Sequence, residues 1–224
     1  MGQTQAKIPL SYKSKKATRR GSMSVTDETS SMSSGDNESA FSGSVCQSTA
    51  SWKQQIYTMG HTKGDGTYQS MEDFYGKVIY AVNVASKWGL TKKEYKKFVE
   101  LDKKYGDQLV IIGFPTREYA FQEYKTDEAI AEFAKSKNFP GIMMQLGKIK
   151  GNKAPELWQH LREETGAKNP KWNFQGKFLV SKTGDISHTN DKDIDADIER
   201  LVNEEFQEDE EYKEFIEAVT GVWR

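Results

Sequence analysis

The sequence predicts one α/β domain with an extension of different composition at each end. Two short, nearly continuous apolar runs, residues 78–85 and 109–114, are typical of central strands covered on both faces. An amphipathic helix pattern lies between them, so the three segments form a β-α-β unit. A length of 224 residues suits a single domain plus extensions.

Residues 1–51 are predicted to be a low-complexity tail, basic at its start and rich in Ser and Thr afterwards. Residues 1–26 contain six Lys or Arg and no acid, and residues 21–50 contain thirteen Ser or Thr. Few apolar side chains are present, so burial would not offset the entropy lost on ordering this segment. We therefore expect a disordered tail.

The predicted domain, residues 52–203, begins with a hairpin and a helix. Ile56-Tyr57 and Tyr68 flank a turn-rich run at 63–66, which indicates the hairpin. After the first buried strand, Thr91 and Glu94 have the spacing of a capping box. Apolar residues then recur at helical spacing until a glycine at 106, which predicts a helix between these points.

Three further helices and a closing hairpin complete the predicted domain. Helices are expected after Thr126, near Pro155 and around Ile194. The runs 177–180 and 185–187 flank a Lys-Thr-Gly turn and predict the hairpin. The helix residues expected to face the core are Ile130, Phe133, Ala134, Leu157, Trp158, Leu161, Ile194, Ile198, Leu201 and Val202.

Residues 204–224 are predicted to form an acidic amphipathic helix beyond the domain. Eight acids and a single lysine lie between 204 and 217, and Tyr212, Phe215, Ile216 and Val219 have the spacing of one helix face. Two alternatives are open for this helix: it folds back onto its own domain, or it docks in a groove of a partner protein.

Composition excludes several classes of protein. Cys46 is the only cysteine, which rules out an intramolecular disulfide and a two-cysteine redox cycle. No apolar run approaches the roughly 20 residues of a spanning helix, and the N-terminus lacks a signal-peptide core. We expect a cytoplasmic protein that needs no cofactor or metal. Nucleic acid is not an expected partner, because the domain lacks a concentrated basic face with a base-reading motif.

Several motifs, in order along the chain, resemble those of glutathione peroxidases. They are the run 73–78 (DFYGKV), Phe114-Pro115 followed by Gln122-Glu123, the run 151–158 (GNKAPELW), and the pair 171–174 (KWNF) and 177–180 (KFLV). The likeness extends from about residue 52 to residue 203. It implies a thioredoxin-like fold of the glutathione peroxidase type. The short link between 164 and 171 resembles the family's monomeric branch.

The resemblance also implies a catalytic tetrad of nucleophile, glutamine, tryptophan and asparagine. Matched residue by residue, these positions are Trp88, Gln122, Trp172 and Asn173. In the family the first is a cysteine or selenocysteine, and the other three donate hydrogen bonds that lower its pKa. An indole has no titratable proton or usable lone pair, so Trp88 is predicted to be inactive. Its ring is expected to fill the site pocket or to contact a partner. Trp172 and Asn173 could equally serve packing and turn formation.

Two functions follow from this substitution. The leading hypothesis is a glutathione peroxidase homologue without peroxidase activity, which acts as a structural or binding component of a larger assembly or at a membrane surface. The alternative is an active glutathione or hydroperoxide peroxidase in the response to oxidative stress, with a selenocysteine codon UGA read as Trp88. Cys46 is a poor substitute nucleophile, because nothing in the tail positions it.

The N-terminal tail suggests how a partner is bound. Its start resembles an N-myristoylation signal at Gly2, although Ala6 stands where Ser or Thr is preferred. The basic residues up to Arg20 would add electrostatic attraction to an anionic membrane. They could equally contact the acidic face of a protein assembly, for example a cytoskeletal polymer such as tubulin. Ser22 follows a basic kinase-type motif, and its phosphorylation would oppose the attraction to the membrane.

Overall fold

A computed structural model describes residues 52–208 together with 210, 212 and 214. The expectations for residues 1–51, which include Gly2, Ser22 and Cys46, lie outside the described residues. The same holds for Phe215, Ile216 and Val219 of the C-terminal segment. Within the described part of the chain, no helix has the length and apolar character needed to cross a bilayer.

The predicted β-α-β unit lies at the centre of a five-stranded mixed sheet, and a separate two-stranded hairpin precedes it. The strands are β1 (Gly60–Thr62), β2 (Tyr68–Ser70), β3 (Val78–Val84), β4 (Leu109–Pro115), β5 (Ile142–Met143), β6 (Lys177–Val180) and β7 (Ile186–His188). The sheet order is β5-β4-β3-β6-β7. The central strand β3 is parallel to β4 and antiparallel to β6. The predicted α/β class is confirmed.

Within residues 52–208, four α-helices cover the sheet: α1 (Thr91–Tyr105), α2 (Asp127–Ser136), α3 (Glu156–Thr165) and α4 (Ile194–Asn203). All seven residues of β3 are buried, and alternate residues contribute to two separate apolar layers. Ile79 packs in the layer that contains Trp158 of α3, while Tyr80 packs in the layer that contains Phe98 of α1 and Ile198 of α4. The sheet is therefore covered on both faces, as the two apolar runs predict.

The capping box predicted at the start of α1 is wrong. Leu90 is the N-cap residue, and it makes no side-chain capping bond. Thr91 lies inside the helix, where its hydroxyl donates to the Ala85 carbonyl at 2.6 Å. The Glu94 carboxylate accepts from Lys177 at 3.1 Å. The two side chains that a capping box would use, Thr91 and Glu94, therefore bind Ala85 and Lys177 instead.

The hairpin at the start of the domain is present, but the expected position of its first strand is wrong. Ile56 and Tyr57 lie in a 3-10 helix, Trp52–Thr58, and are buried in the core. The first paired residue is Gly60, opposite Ser70. Strand β5 was not predicted from the sequence, because two residues are too few to show a period.

The C-terminal extension packs on its own domain at the positions described. Residues 204–208 are not helical, so the predicted start of a helix at 204 is wrong. The Lys182 ammonium donates to the carbonyls of Val202 and Glu204, at 2.7 and 2.8 Å, where α4 ends. Tyr212 is helical and buried, and its ring stacks on Tyr75 with 4.0 Å between centroids. This arrangement agrees with the first of the two alternatives, a segment that folds back.

Candidate functional site

Trp88, the residue expected at the nucleophile position, lies in the turn between β3 and α1. Its carbonyl accepts from the Thr91 amide at 3.0 Å, which places the residue just before the helix N-terminus. The ring is half-buried and stacks on Phe174, with 5.5 Å between centroids and 22° between planes. Phe174 belongs to the apolar layer beneath α1. The indole therefore packs at the edge of the core.

Gln122 and Asn173 meet beside this turn, although 51 residues separate them in sequence. The Asn173 amide donates to the Gln122 side-chain oxygen at 2.7 Å, and Asn173 is fully buried. The Gln122 carbonyl accepts from the Lys87 amide at 2.8 Å, which joins the glutamine loop to the residue before Trp88. The structure thus brings three of the four predicted site positions into one hydrogen-bonded neighbourhood.

Trp172, the fourth predicted position, contacts the same region through packing. It is 36% exposed, and its ring centroid lies 5.8 Å from that of Tyr119. The Tyr119 hydroxyl in turn donates to the Pro170 carbonyl. The observed contact is the packing role that sequence analysis left open for this tryptophan.

Asn83, at the end of β3, holds the loop that contains Trp172 and Asn173. Its side-chain amide donates to the Trp172 carbonyl at 3.1 Å, and its side-chain oxygen accepts from the Gly176 amide at 2.7 Å. Its backbone carbonyl accepts from the Phe174 amide at 3.0 Å. Asn83 therefore satisfies the backbone hydrogen-bonding groups of this loop. The Asn173 side chain is not needed for that purpose and faces Gln122.

The Gln122–Asn173 pair leaves one buried polar atom without a partner in the described part of the chain. The Asn173 side-chain oxygen is buried and has no hydrogen-bond partner among the described residues. Such an atom is costly to bury. Because the Asn173 N–H is used by Gln122, the amide framework persists in the absence of a reacting anion.

Glu123 is a site-adjacent residue that sequence analysis did not identify as buried. Its side chain is 1% exposed; one oxygen accepts from the Tyr124 amide at 2.8 Å, and the other has no hydrogen-bond partner within the described residues. Burial raises the pKa of the Glu123 carboxyl, and Ser86, Tyr124 and Lys87 oppose that shift. The only sequence signal was its position next to Gln122.

We expect Glu123→Gln to raise the thermal unfolding midpoint at pH 7 to 8 by a few degrees. A carboxyl whose pKa is raised by folding stabilises the protein below the pKa of the unfolded chain, and this stability is lost as pH rises through the folded pKa. The glutamine side chain stays neutral, so the variant does not lose stability as the pH rises. The difference in unfolding midpoint between the variant and the wild type should therefore shrink towards pH 5. Midpoints measured across this range, with the exposed Glu132→Gln as control, test the expectation. A lower midpoint for Glu123→Gln at every pH would contradict it.

Exposed apolar side chains surround the site. Leu90 follows the Trp88 turn, Phe121 precedes Gln122, and Trp172 precedes Asn173, and all three are exposed. Each loop that contributes a predicted site residue therefore also presents an apolar side chain to solvent. Among the described residues, no group of three His, Cys, Asp or Glu is arranged to hold a metal.

Comparisons with known proteins agree on one family. The family model described as "Glutathione peroxidase" matches residues 56–162. Glutathione peroxidase-like peroxiredoxin 2 of Saccharomyces cerevisiae is 38% identical over 141 residues, covering 57% of this chain and 85% of the relative. Glutathione peroxidase 1 of Caenorhabditis elegans is 34% identical over 159 residues, covering 66% and 97%. The family-model match contains the motifs from residue 73 to residue 158.

Solved structures support the fold. The crystal structure of Trgpx in apo form superposes with a TM-score of 0.53 at 23% identity, covering 68% of this chain and 98% of that one. The crystal structure of T. cruzi GPX1 gives a TM-score of 0.50 at 23% identity, with coverages of 66% and 95%. The chain has the mixed α/β, thioredoxin-like fold of these proteins.

Proposed function

The chain belongs to the glutathione peroxidase family, and we propose that it is a member that keeps the framework of the peroxidase site while Trp88 removes the reacting group. In this proposal the protein acts as a binding component of a larger assembly and does not turn over hydroperoxide. The observation that supports it is the side chain at position 88, an indole stacked on Phe174 at the start of α1.

The chemistry of the domain supports the same proposal. Reduction of an O–O bond on this framework needs a polarisable nucleophile of low pKa at the helix N-terminus. The sole cysteine of the chain is Cys46, so residues 52–203 contain no thiol.

A second candidate is an active peroxidase with selenocysteine at position 88. The comparisons favour this candidate over the first at the level of protein class, because the reported relatives bear the names of peroxidases and peroxiredoxins and none indicates loss of activity. The Gln122–Asn173 pair and the N-terminus of α1 would then stabilise a selenolate.

The mass of the peptide that contains residue 88, measured on protein from its natural source, distinguishes the two candidates. A tryptophan mass supports the first proposal, and a selenocysteine mass with the isotope pattern of selenium overturns it. In parallel, the recombinant Trp88 chain is assayed with hydroperoxide and either glutathione or thioredoxin. Activity no higher than that of a Trp88→Ala control is expected, whereas turnover that this control loses would contradict the proposal.

The partner of a non-catalytic member is proposed to be bound through the extensions, in the cytoplasm. The six bases of residues 1–26 favour an acidic surface, either that of a protein assembly such as a cytoskeletal polymer or that of an anionic membrane. Co-sedimentation at low salt with each surface, comparing the full chain with one that lacks residues 1–26, tests this proposal. Binding that is unchanged by the truncation or by high salt would contradict it.

A further inference from the structure

A cavity of about 350 Å³ lies beside the glutamine loop, separate from the Trp88 turn. Its walls come from two segments, one with Arg117, Glu118 and Phe121 and the other with Leu146 and Lys148. The volume is at the lower end of the range for small-molecule sites, about 300 to 1,000 Å³. The cavity therefore has room for a small ligand and none for a folded partner.

The cavity wall has a net positive charge that is not neutralised locally. The Nε of Arg117 is enclosed and has no hydrogen-bond partner within the described residues, and its guanidinium lies 5.3 Å from the centre of the Phe121 ring. Lys148 is exposed and forms no ion pair in the described part of the chain. An anion bound there would meet two cations, one of them partly buried.

The one acid in the wall does not cancel this charge. The Glu118 carboxylate accepts hydrogen bonds from the backbone amides of Ile149 and Lys150, at 2.7 and 3.0 Å. These bonds fix the second wall segment against the first and satisfy one carboxylate oxygen inside the protein. Glu118 therefore closes the cavity, and Arg117 remains available to a ligand.

The apolar side of the cavity is held in an unfavourable backbone conformation. Ala120 and Phe121 have positive φ angles, 50° and 54°, although neither is glycine. This region is costly for residues with a side chain, about 1 to 3 kcal/mol each, and such residues cluster at ligand sites. The conformation presents Phe121 with 72% of its surface exposed, next to the half-buried Leu146. An exposed aromatic ring beside a guanidinium whose Nε has no hydrogen-bond partner within the described residues suits a ligand with both apolar and anionic parts.

We propose that this cavity binds a small amphipathic monoanion, a medium-chain carboxylate, with the carboxylate at Arg117 and Lys148 and the alkyl chain on Phe121 and Leu146. The Arg117 fork matches the geometry of a carboxylate, and the ring and the leucine cover the chain. The proposal does not depend on the identity of residue 88. Because Phe121 precedes Gln122, an occupied cavity lies directly against the loop that binds Asn173.

Isothermal titration of the full chain with decanoate, below its micellar concentration, tests the proposal. We expect saturable binding of one decanoate per chain and about tenfold weaker binding of decanol, which lacks the charge. Arg117→Ala and Phe121→Ala should each weaken decanoate binding by about tenfold. Lys103→Ala, which removes an exposed base on α1 outside the cavity, should leave it unchanged.

Three results would overturn the proposal: no saturable binding of decanoate, equal affinity for decanoate and decanol, or wild-type affinity in both cavity variants. Inorganic phosphate that binds more tightly than decanoate would assign the cavity to simple anions and would also overturn it. Phe121 is largely exposed, so its alanine variant remains informative if Arg117→Ala does not fold.

Discussion

Lys177→Ala is expected to destabilise the domain by about 3 to 5 kcal/mol, the range typical for removal of one partner from a buried ion pair. The Lys177 side chain is 2% exposed, and its ammonium lies 3.1 Å from Glu94 and 2.8 Å from Asp191. Asp191 is largely exposed, whereas Glu94 is buried in the first turn of α1. The alanine variant therefore leaves an unpaired carboxylate inside the protein.

The electrostatic environment of Lys177 is consistent with this cost. Burial alone would lower the pKa of the ammonium, but the neighbouring Tyr80, Asp191 and Glu94 hold its pKa above the ordinary value for lysine. Burial also raises the pKa of the Tyr80 hydroxyl, which is enclosed next to the pair. The charged Lys177 side chain thus balances the acids around it. Its ion pair with Glu94 also links β6 to α1.

Urea unfolding of Lys177→Ala and of two control variants measures the loss of stability. Lys97→Ala removes a lysine from an ion pair of similar length, 3.0 Å to Asp195, and should cost less than about 1 kcal/mol, because the carboxylate that it leaves behind is largely exposed. The double variant Lys177→Met with Glu94→Gln removes both buried charges and should recover part of the loss. A loss for Lys177→Ala as small as that for Lys97→Ala would show that water reaches the pair.

Local signals were sufficient to predict most of the fold. Thr126 is the N-cap of α2, as predicted, and accepts from the Ala129 amide at 3.3 Å, because no tertiary partner competes for its hydroxyl. The strand pair β3 and β4 agrees with the two apolar runs to within one residue at each end. At Thr91 the same kind of signal failed, since the hydroxyl and Glu94 have partners six and 83 residues away.

The site was less predictable, because its important contacts join distant segments. The motifs indicated Gln122 and Asn173 separately, and only the structure shows their amides bonded to each other. The stack of Trp88 on Phe174 also depends on the three-dimensional arrangement. Glu123 and Arg117 look like ordinary surface residues in the sequence, since no periodic pattern separates a buried charge from an exposed one.

Trp88→Cys is expected to create measurable hydroperoxide reduction, an activity that the Trp88 protein is proposed to lack. The new thiol would lie at the N-terminus of α1, beside Gln122 and Asn173, where the helix dipole and the amide donors lower a thiol pKa below its usual value of about 8.5. The thiolate attacks the O–O bond and becomes a sulfenic acid as the alcohol leaves. Two molecules of glutathione then regenerate the thiol with release of water and glutathione disulfide.

Peroxide consumption with glutathione, measured in a Cys46→Ser background, tests this expectation. Trp88→Ser opens the same space without supplying a thiolate and should remain inactive. Adding Asn173→Ala to the cysteine variant should lower its rate by about tenfold or more, because one stabilising amide is lost. The rate should also fall as pH decreases through the pKa of the new thiol.

Comparing the cysteine and serine variants shows whether the side chain at position 88 alone, or also the surrounding framework, determines peroxidase activity. If Trp88→Cys is active, the Gln122–Asn173 framework is still competent and residue 88 alone decides whether the family's reaction occurs. If it is no faster than Trp88→Ser, the framework no longer activates a thiol at this position for peroxide reduction. The second outcome would contradict the prediction and leave binding as the function that the domain can still perform.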